Sequence, residues 1–353
     1  MTFKTLQTQL EDKISSLPIV GPYKKYKQNI QADINLSDNL NHFLEKDSYP
    51  PFECEALKNL YTNILIEDDP SLSFLKKKLI DSFFINGALE AVSVLLETFC
   101  QPLDSVLTFT PTFPFYKDIC NRMGFRFNEV SLEGKNLDEL NIENAQKFNP
   151  KVILICDPNN PTSTRINSSN IEKTLERFKN SLIIIDEAYI DFSSTSSNLR
   201  FVNTYSNLIV VRGLSKGWGM ASLRLCAIFA SHTIIECLKR SSVAYPISKL
   251  SIEKALFKFS FEKELVRNSW KLVKEEKKRL TKELTQFSKI QKIYPSDTNF
   301  LCLTLKNATD LHHHLLMQGI LVENVQHIIP NCLRITIGKP SENDMFLKAL
   351  SSF

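Results

Sequence analysis

No run of about 18 uninterrupted apolar residues, the length a membrane-spanning helix needs, occurs in the sequence, so a membrane protein is not expected. Residues Met1 to Gln7 lack an apolar signal core, and a cytoplasmic rather than exported protein is the expectation. Paired short cysteine spacings are missing as well. The eight cysteines are scattered, and Cys156 and Cys226 sit in apolar runs where a thiol packs as a small hydrophobe, so reduced, buried thiols are expected. Neither sign of charge dominates the net +4, and the densest basic run, Lys274 to Lys282, is broken by Glu275 and Glu276 as on a solvated helix face. Nucleic acid is therefore not expected as a partner. Three histidines are consecutive, His312, His313 and His314; on a helix they point in different directions and cannot share one ion, so no metal is expected.

What is present is an ordinary globular composition over 353 residues, 43% hydrophobic and 23% charged, long enough for two lobes sharing a cleft. Between about residues 82 and 230, short apolar runs alternate with amphipathic stretches. Ser105–Thr110, Lys151–Cys156, Ser181–Asp186 and Asn207–Arg212 are continuously rather than alternately hydrophobic, the pattern of strands buried on both faces of a largely parallel sheet. In such sheets ligands bind beyond the carboxyl ends of the strands. The polar residues that close these runs, Asp157-Pro-Asn-Asn-Pro, Asp186-Glu and Arg212 to Lys216, are thereby expected in one crevice.

After residue 250 the pattern predicts a long amphipathic helix near 262–287, with Leu265, Leu272, Val273, Leu280 and Leu284 at helical spacing. A smaller unit follows: a strand from Asn299, a helix near 310–318, a strand Ile320-Leu-Val, a strand Cys332 to Ile337 and a terminal helix from Glu342. The expected organisation is an arm and helix over 1–45 joining this small α+β unit, a large α/β unit over 46–260, and the small unit over 261–353.

Three segments carry chemistry: Cys156-Asp-Pro-Asn-Asn-Pro-Thr162, Ile183-Ile-Ile-Asp-Glu-Ala-Tyr189, and Val211-Arg-Gly-Leu-Ser-Lys-Gly-Trp-Gly-Met-Ala-Ser-Leu-Arg224. Alone, each reads as a turn, a helix cap or a solvated loop. In this order, each at a strand end, they resemble the pyridoxal 5′-phosphate (PLP) aminotransferases of fold type I, and the resemblance is close to the histidinol-phosphate aminotransferases. Tyr49-Pro50, Asn86-Gly-Ala-Leu-Glu90, Phe99-Cys-Gln-Pro102, Pro111-Thr-Phe-Pro-Phe-Tyr116 and Cys332 to Gly338 extend it over most of the chain.

The resemblance implies a large unit with a mostly parallel, seven-stranded sheet covered by helices. It implies Lys216 as the lysine that forms the cofactor's Schiff base and shuttles a proton, Asp186 as the carboxylate beside the pyridine nitrogen, and Asn160 and Tyr189 as donors to the ring oxygen. Glu187 is expected to be a structural neighbour. The phosphate would lie on Gly87, Ala88 and Leu89 at a helix start, with Ser215 and Arg224. Phe113 would stack on the ring. Tyr49 would reach the phosphate of a neighbouring subunit, which implies a homodimer with shared active sites. Arg334 would grip a distal carboxylate or phosphate, with Tyr23, Asn39 and Glu323 around the substrate.

An amino donor and a 2-oxo acid are the implied small molecules, histidinol phosphate and 2-oxoglutarate among them. The departures lie mainly at the substrate. Ser163, Ser222 and Cys226 replace glycines, the segment Asn39-Leu-Asn-His42 has lost an acidic residue, and Glu323 stands where an arginine follows the strand. The alternatives are a threonine- or serine-phosphate decarboxylase of similar fold, whose Asn-Ile-Asn resembles Asn39-Leu-Asn41, a transaminase for another amino acid, and a non-enzymatic scaffold. The intact set of Lys216, Asp186, Asn160, Tyr189 and Arg224 argues against the scaffold.

Overall fold

A computed structural model of the chain describes residues 5–19, 21–28, 33–34, 36–44, 48–77 and 79–353. Its main body is an eight-stranded sheet built from β1 (Ile80–Ile85), β2 (Ser105–Thr110), β3 (Arg126–Glu133), β4 (Glu139–Leu140), β5 (Val152–Cys156), β6 (Leu182–Asp186), β7 (Leu208–Gly213) and β8 (Cys226–Ser231). Their spatial order is β1-β8-β7-β6-β5-β2-β3-β4. Strands β7, β6, β5, β2 and β3 are mutually parallel, while β8 runs antiparallel to both its neighbours. The strand beyond the seven expected is β4, two residues pairing on the edge with β3.

Successive residues of each central strand enter opposite half-cores. Ile153 and Ile155 face one side with Ile183, Ile185, Leu208 and Val210, whereas Val152 and Leu154 face the other with Leu182, Ile184, Ile209 and Val211. Both faces are therefore apolar, which is why these strands read as continuous hydrophobic runs.

The helices of this body are α1 (Leu6–Ser16), α2 (Gly21–Gln28), α3 (Glu55–Asp68), α4 (Ala88–Phe99), α5 (Phe115–Arg122), α6 (Ile142–Gln146), α7 (Ser168–Arg177), α8 (His232–Ser241) and α9 (Lys249–Phe261). Contrary to the expectation for the N-terminal segment, α1 packs on α8 and not on the C-terminal unit. Leu6 and Leu10 join the half-core that holds Phe99 and Leu238, and Arg240 donates to the carbonyls of Ile14 at 2.8 Å and Leu17 at 3.0 Å. Residues 1–4, 20, 29–32, 35 and 45 of the expected arm lie outside the described residues.

The long helix α10 (Lys263–Leu284) leads into the second sheet, formed in the order β11-β12-β10-β9 by β9 (Ile290–Ile293), β10 (Phe300–Leu305), β11 (Glu323–Asn324) and β12 (Cys332–Thr336), with α11 (Ala308–Met317) and α12 (Pro340–Ser351) packed on it. All its pairings are antiparallel, and its core includes Leu280, Leu284, Leu301, Leu303, Leu333 and Ile335.

Two expectations fail here. Leu265 and Leu272 are exposed, because the upper half of α10 packs through Val266 and Trp270. The expected strand 320–322 is irregular: Val322 and Ile320 pack on the core by their side chains, but the backbone first joins the β12 ladder at Glu323. Among the described residues no helix is long and apolar enough to cross a membrane.

One ion cluster ties α3, β1 and α8 together. The Lys58 ammonium lies 2.6 Å from Glu53 and 2.8 Å from Asp81, and that of Lys239 lies 2.9 Å from each of the same carboxylates. Burial alone would push the Asp81 carboxyl up, but Lys239 and Lys58 outweigh it and hold it at about 2, below its ordinary 3.8. A depressed carboxyl contributes stability above its unfolded value, and that contribution is lost as pH falls from about 4 towards 2. Asp81→Asn should lower the melting temperature at pH 7 by a few degrees. Its melting temperature should also fall less than that of the parent protein between those pH values. Parallel curves would show that Asp81 is not the linked group.

Candidate active site

The carboxyl ends of β1, β2, β5, β6 and β7 open on one cleft of about 210 Å³, whose lining includes Phe113, Asn160, Asp186, Tyr189, Lys216 and Arg224. Strand register brings them there: Cys156 pairs with Asp186, and Asp186 with Val211, so the segments after these strands leave the sheet side by side. Among the residues the sequence singled out, Ala88, Leu89 and Ser215 also line the cavity.

Lys216 follows β7 in a loop fixed from below. Its neighbour Gly217 is obligatory, since a Cβ there would lie 2.0 Å from the Asp191 carboxylate. The Gly217 carbonyl accepts from the indole N–H of Trp270 at 2.6 Å, and Asp191 pairs with the buried Arg212 at 2.7 Å. Burial first, and then the positive charges of Arg334 and Arg224, hold the Lys216 ammonium below its ordinary pKa. More of the neutral amine is therefore present at neutral pH.

Asp186 is 6% exposed, and burial pushes its carboxyl up to about 6 against the opposing hydrogen bonds of Tyr116 and the Ala188 N–H. Glu187 beside it is wholly occupied with structure. It accepts from Ser197 Oγ at 2.5 Å and from the Asn198 N–H at 2.6 Å, and pairs with Arg212 at 3.3 Å.

The loop after β5 is locked to the loop after β2. Asn159 accepts from Thr112 Oγ1 at 3.0 Å and donates to the Pro111 carbonyl at 2.8 Å, which fixes Phe113 relative to Asn160. Ser163 keeps a left-handed backbone, φ 65°, although it is not glycine. Its carbonyl accepts from the Asp297 N–H at 2.9 Å, so this turn also holds the second unit in place.

At the other end of the cavity, Gly87 has φ 90°, and a Cβ there would stand 2.5 Å from the Arg224 guanidinium. The guanidinium therefore lies against the start of α4, where no side chain caps the free N–H groups. Arg224 itself has φ 50°. Uncapped N–H groups, a helix dipole and a guanidinium together make an anion site.

Arg334, on β12, donates to Asn160 Oδ1 at 2.7 Å and lies 5.3 Å from the Phe300 ring. Glu323 pairs with it across the β11–β12 ladder, and its carboxylate lies 3.9 Å from the guanidinium. Both expected residues thus stand on one side of that small sheet.

Tyr23 and Asn39 do not join the cavity lining. Tyr23 is buried against Phe52, and its hydroxyl is spent on Glu236 behind the sheet. Asn39 is exposed with φ 56°. Tyr49 is half exposed, stacked on Tyr245 at 4.5 Å, and also outside this chain's own cleft. The sequence reading gave no role to Tyr116, whose hydroxyl donates to Asp186 Oδ2 at 2.9 Å, or to Ala188, which lines the cavity.

Residues 24–350 match the family described as aminotransferase class I and II. The chain is 38% identical over 275 residues to a histidinol-phosphate aminotransferase from Parabacteroides distasonis, covering 76% of this chain and 79% of that protein. Its fold is similar to that of the histidinol-phosphate aminotransferase of Clostridium acetobutylicum, with a TM-score of 0.77 at 23% identity over 87% of this chain and 90% of that one. It is also similar to the fold of the Sinorhizobium meliloti enzyme of the same name, solved in complex with pyridoxal-5′-phosphate, with a TM-score of 0.74 at 17% identity over 96% of both chains.

The close approach at Gly87 makes the anion site testable. Gly87→Ala should displace the Arg224 guanidinium and reduce the affinity for inorganic phosphate by at least about tenfold, the loss of one charge-assisted hydrogen bond or more. Its melting temperature should fall by only a few degrees. Unchanged affinity would place the phosphate elsewhere.

Proposed function

The chain belongs to the aminotransferase class I and II family and is an aminotransferase, and on that premise we propose that it holds PLP at Lys216 and moves amino groups from histidinol phosphate to 2-oxoglutarate. The observation that carries this reading is the single cleft lined by Lys216, Asp186, Asn160, Tyr189 and Arg224. The residues fit the cofactor. The uncapped start of α4 and Arg224 suit a phosphate, and a buried carboxylate suits a pyridinium.

When bound, the group would supply an electron sink for the electron pair left on the donor carbon as its proton departs. Lys216, with its lowered pKa, takes and returns that proton. Asp186 would keep the ring nitrogen protonated, Asn160 and Tyr189 would hold the ring oxygen, and Phe113 would flank the ring. Gly87, Ala88, Leu89, Ser215 and Arg224 would take the phosphate. Arg334 receives the distal anion of either substrate.

The decarboxylase alternative is not favoured, since the matched relatives are named as aminotransferases. A homodimer is part of the same reading. The exposure of Tyr49 and its place outside its own cleft support a role for it in a neighbour's site. So is a cytoplasmic location, which suits eight free thiols. We place the division of the chain at residues 260/261, at the last turn of α9 just before α10 begins.

The PLP-loaded protein should lose its visible absorbance band on adding histidinol phosphate and regain it with 2-oxoglutarate. Lys216→Ala should fold but show neither band nor turnover. A band that no amino donor changes would overturn the reading.

Glu323 tests the donor. Its carboxylate neighbours Arg334 and competes with a substrate anion, and charge-assisted hydrogen bonds are each worth ~1.5–3 kcal/mol. Glu323→Arg should raise kcat/KM for histidinol phosphate about ten- to hundredfold more than for a neutral donor. Equal effects on the two donors would place Glu323 outside the substrate's reach.

A further inference from the structure

Tyr116 lies at the second position of α5, with its ring 1% exposed. Its hydroxyl donates to Asp186 Oδ2 at 2.9 Å, and its ring meets that of Phe113 edge-on, with centroids 5.6 Å apart and planes at 86°. One side chain thus touches both the carboxylate and the aromatic face of the cofactor slot. The other donor to Asp186 is the Ala188 N–H, which takes Oδ1 at 3.1 Å.

The titratable groups around Asp186 are Tyr116 of α5, Cys156 of β5, Glu187 just after its own strand, Tyr189 in the turn that follows and Cys226 of β8. Among the described residues the charge that acts on Asp186 is that of Glu187, which has the same sign. Until a cation arrives, the ionised form rests on two hydrogen bonds and not on a counter-charge. A donor to a carboxylate favours its charged form, and a fixed donor on Oδ2 also fixes how the carboxylate faces the cavity.

We propose that Tyr116 is a positioning residue for Asp186, holding it ionised and oriented towards the cofactor nitrogen and so setting the acid limit of PLP binding. The proposal rests on the preceding assignment of Asp186 as the nitrogen's partner. A carboxylate that took up its own proton could not serve a pyridinium, so whatever raises the Asp186 pKa narrows the pH range in which the cofactor is held.

Tyr116→Phe keeps the ring and its edge contact and removes only the hydroxyl. Loss of one hydrogen bond to a charged acceptor should raise the Asp186 pKa by about one unit or more. The PLP dissociation constant of Tyr116→Phe, divided by that of the parent at each pH, cancels the cofactor's own titrations. With the parent carboxyl at about 6, this ratio should be about five near pH 6, approach ten towards pH 5 and fall to one by about pH 9. A ratio constant across the range would mean a merely structural role and would overturn the proposal.

In the cofactor-free protein, the carbon-13 shift of the Asp186 carboxyl should titrate at higher pH in Tyr116→Phe than in the parent, and an unmoved midpoint would also overturn it. In an Asp186→Asn background the hydroxyl should no longer affect the pH profile. If the same pH-dependent ratio appears there, Tyr116 acts through another group. A parent protein that binds no PLP at any pH would overturn the underlying assignment, a result distinct from these.

Discussion

A carboxylate buried at the end of β6, in the wall of the cleft, is the constraint around which the rest is arranged. Asp186 is buried on a strand whose neighbours are apolar on both faces, so solvent cannot stabilise its charge. The molecule supplies instead one phenol, one backbone N–H and a cavity into which a cationic ring can come. The parallel register of β5, β6 and β7 then determines what stands opposite. Cys156, Asp186 and Val211 are level with one another, which places Asn160, Tyr189 and Lys216 on segments leaving the sheet together.

Precision at Lys216 comes from a second layer of contacts that ties the two units together. Helix α10 runs from one to the other, and along it Trp270 donates to the Gly217 carbonyl at 2.6 Å and Lys274 to the Ser193 carbonyl at 2.6 Å, while Leu280 and Leu284 enter the core of the small unit. Arg334 of the small sheet holds Asn160 in the loop after β5, and the Asp297 N–H holds Ser163. Arg334, proposed to face the substrate, and Asn160, proposed to face the cofactor, therefore share a hydrogen bond. An anion that engaged Arg334 would act on Asn160 directly, without any longer route.

Legibility in the sequence followed burial. Strands β2, β5, β6 and β7 were read within a residue of their ends because both faces are apolar. Lys216, Asp186, Asn160, Tyr189 and Arg224 were legible because their motifs end those strands. Tyr116 was not. An aromatic in a Phe-Tyr helix start reads as core, and its partner lies 70 residues away, so only the fold reveals the hydrogen bond. Tyr23 stands outside this cleft for the converse reason: its place depends on how α2 docks on α8, a tertiary choice that local pattern does not encode. The exposed Leu265 and Leu272 likewise kept a helical spacing without a core to meet.

Borohydride reduction of the PLP-loaded protein, followed by peptide mapping, tests the assignment of Lys216 most directly, because reduction makes the lysine–cofactor bond permanent wherever it is. A pyridoxyl group confined to the peptide containing Lys216 is the expected result. A label on any other lysine, with Lys216 unmodified, would contradict the placement of the cofactor at the end of β7.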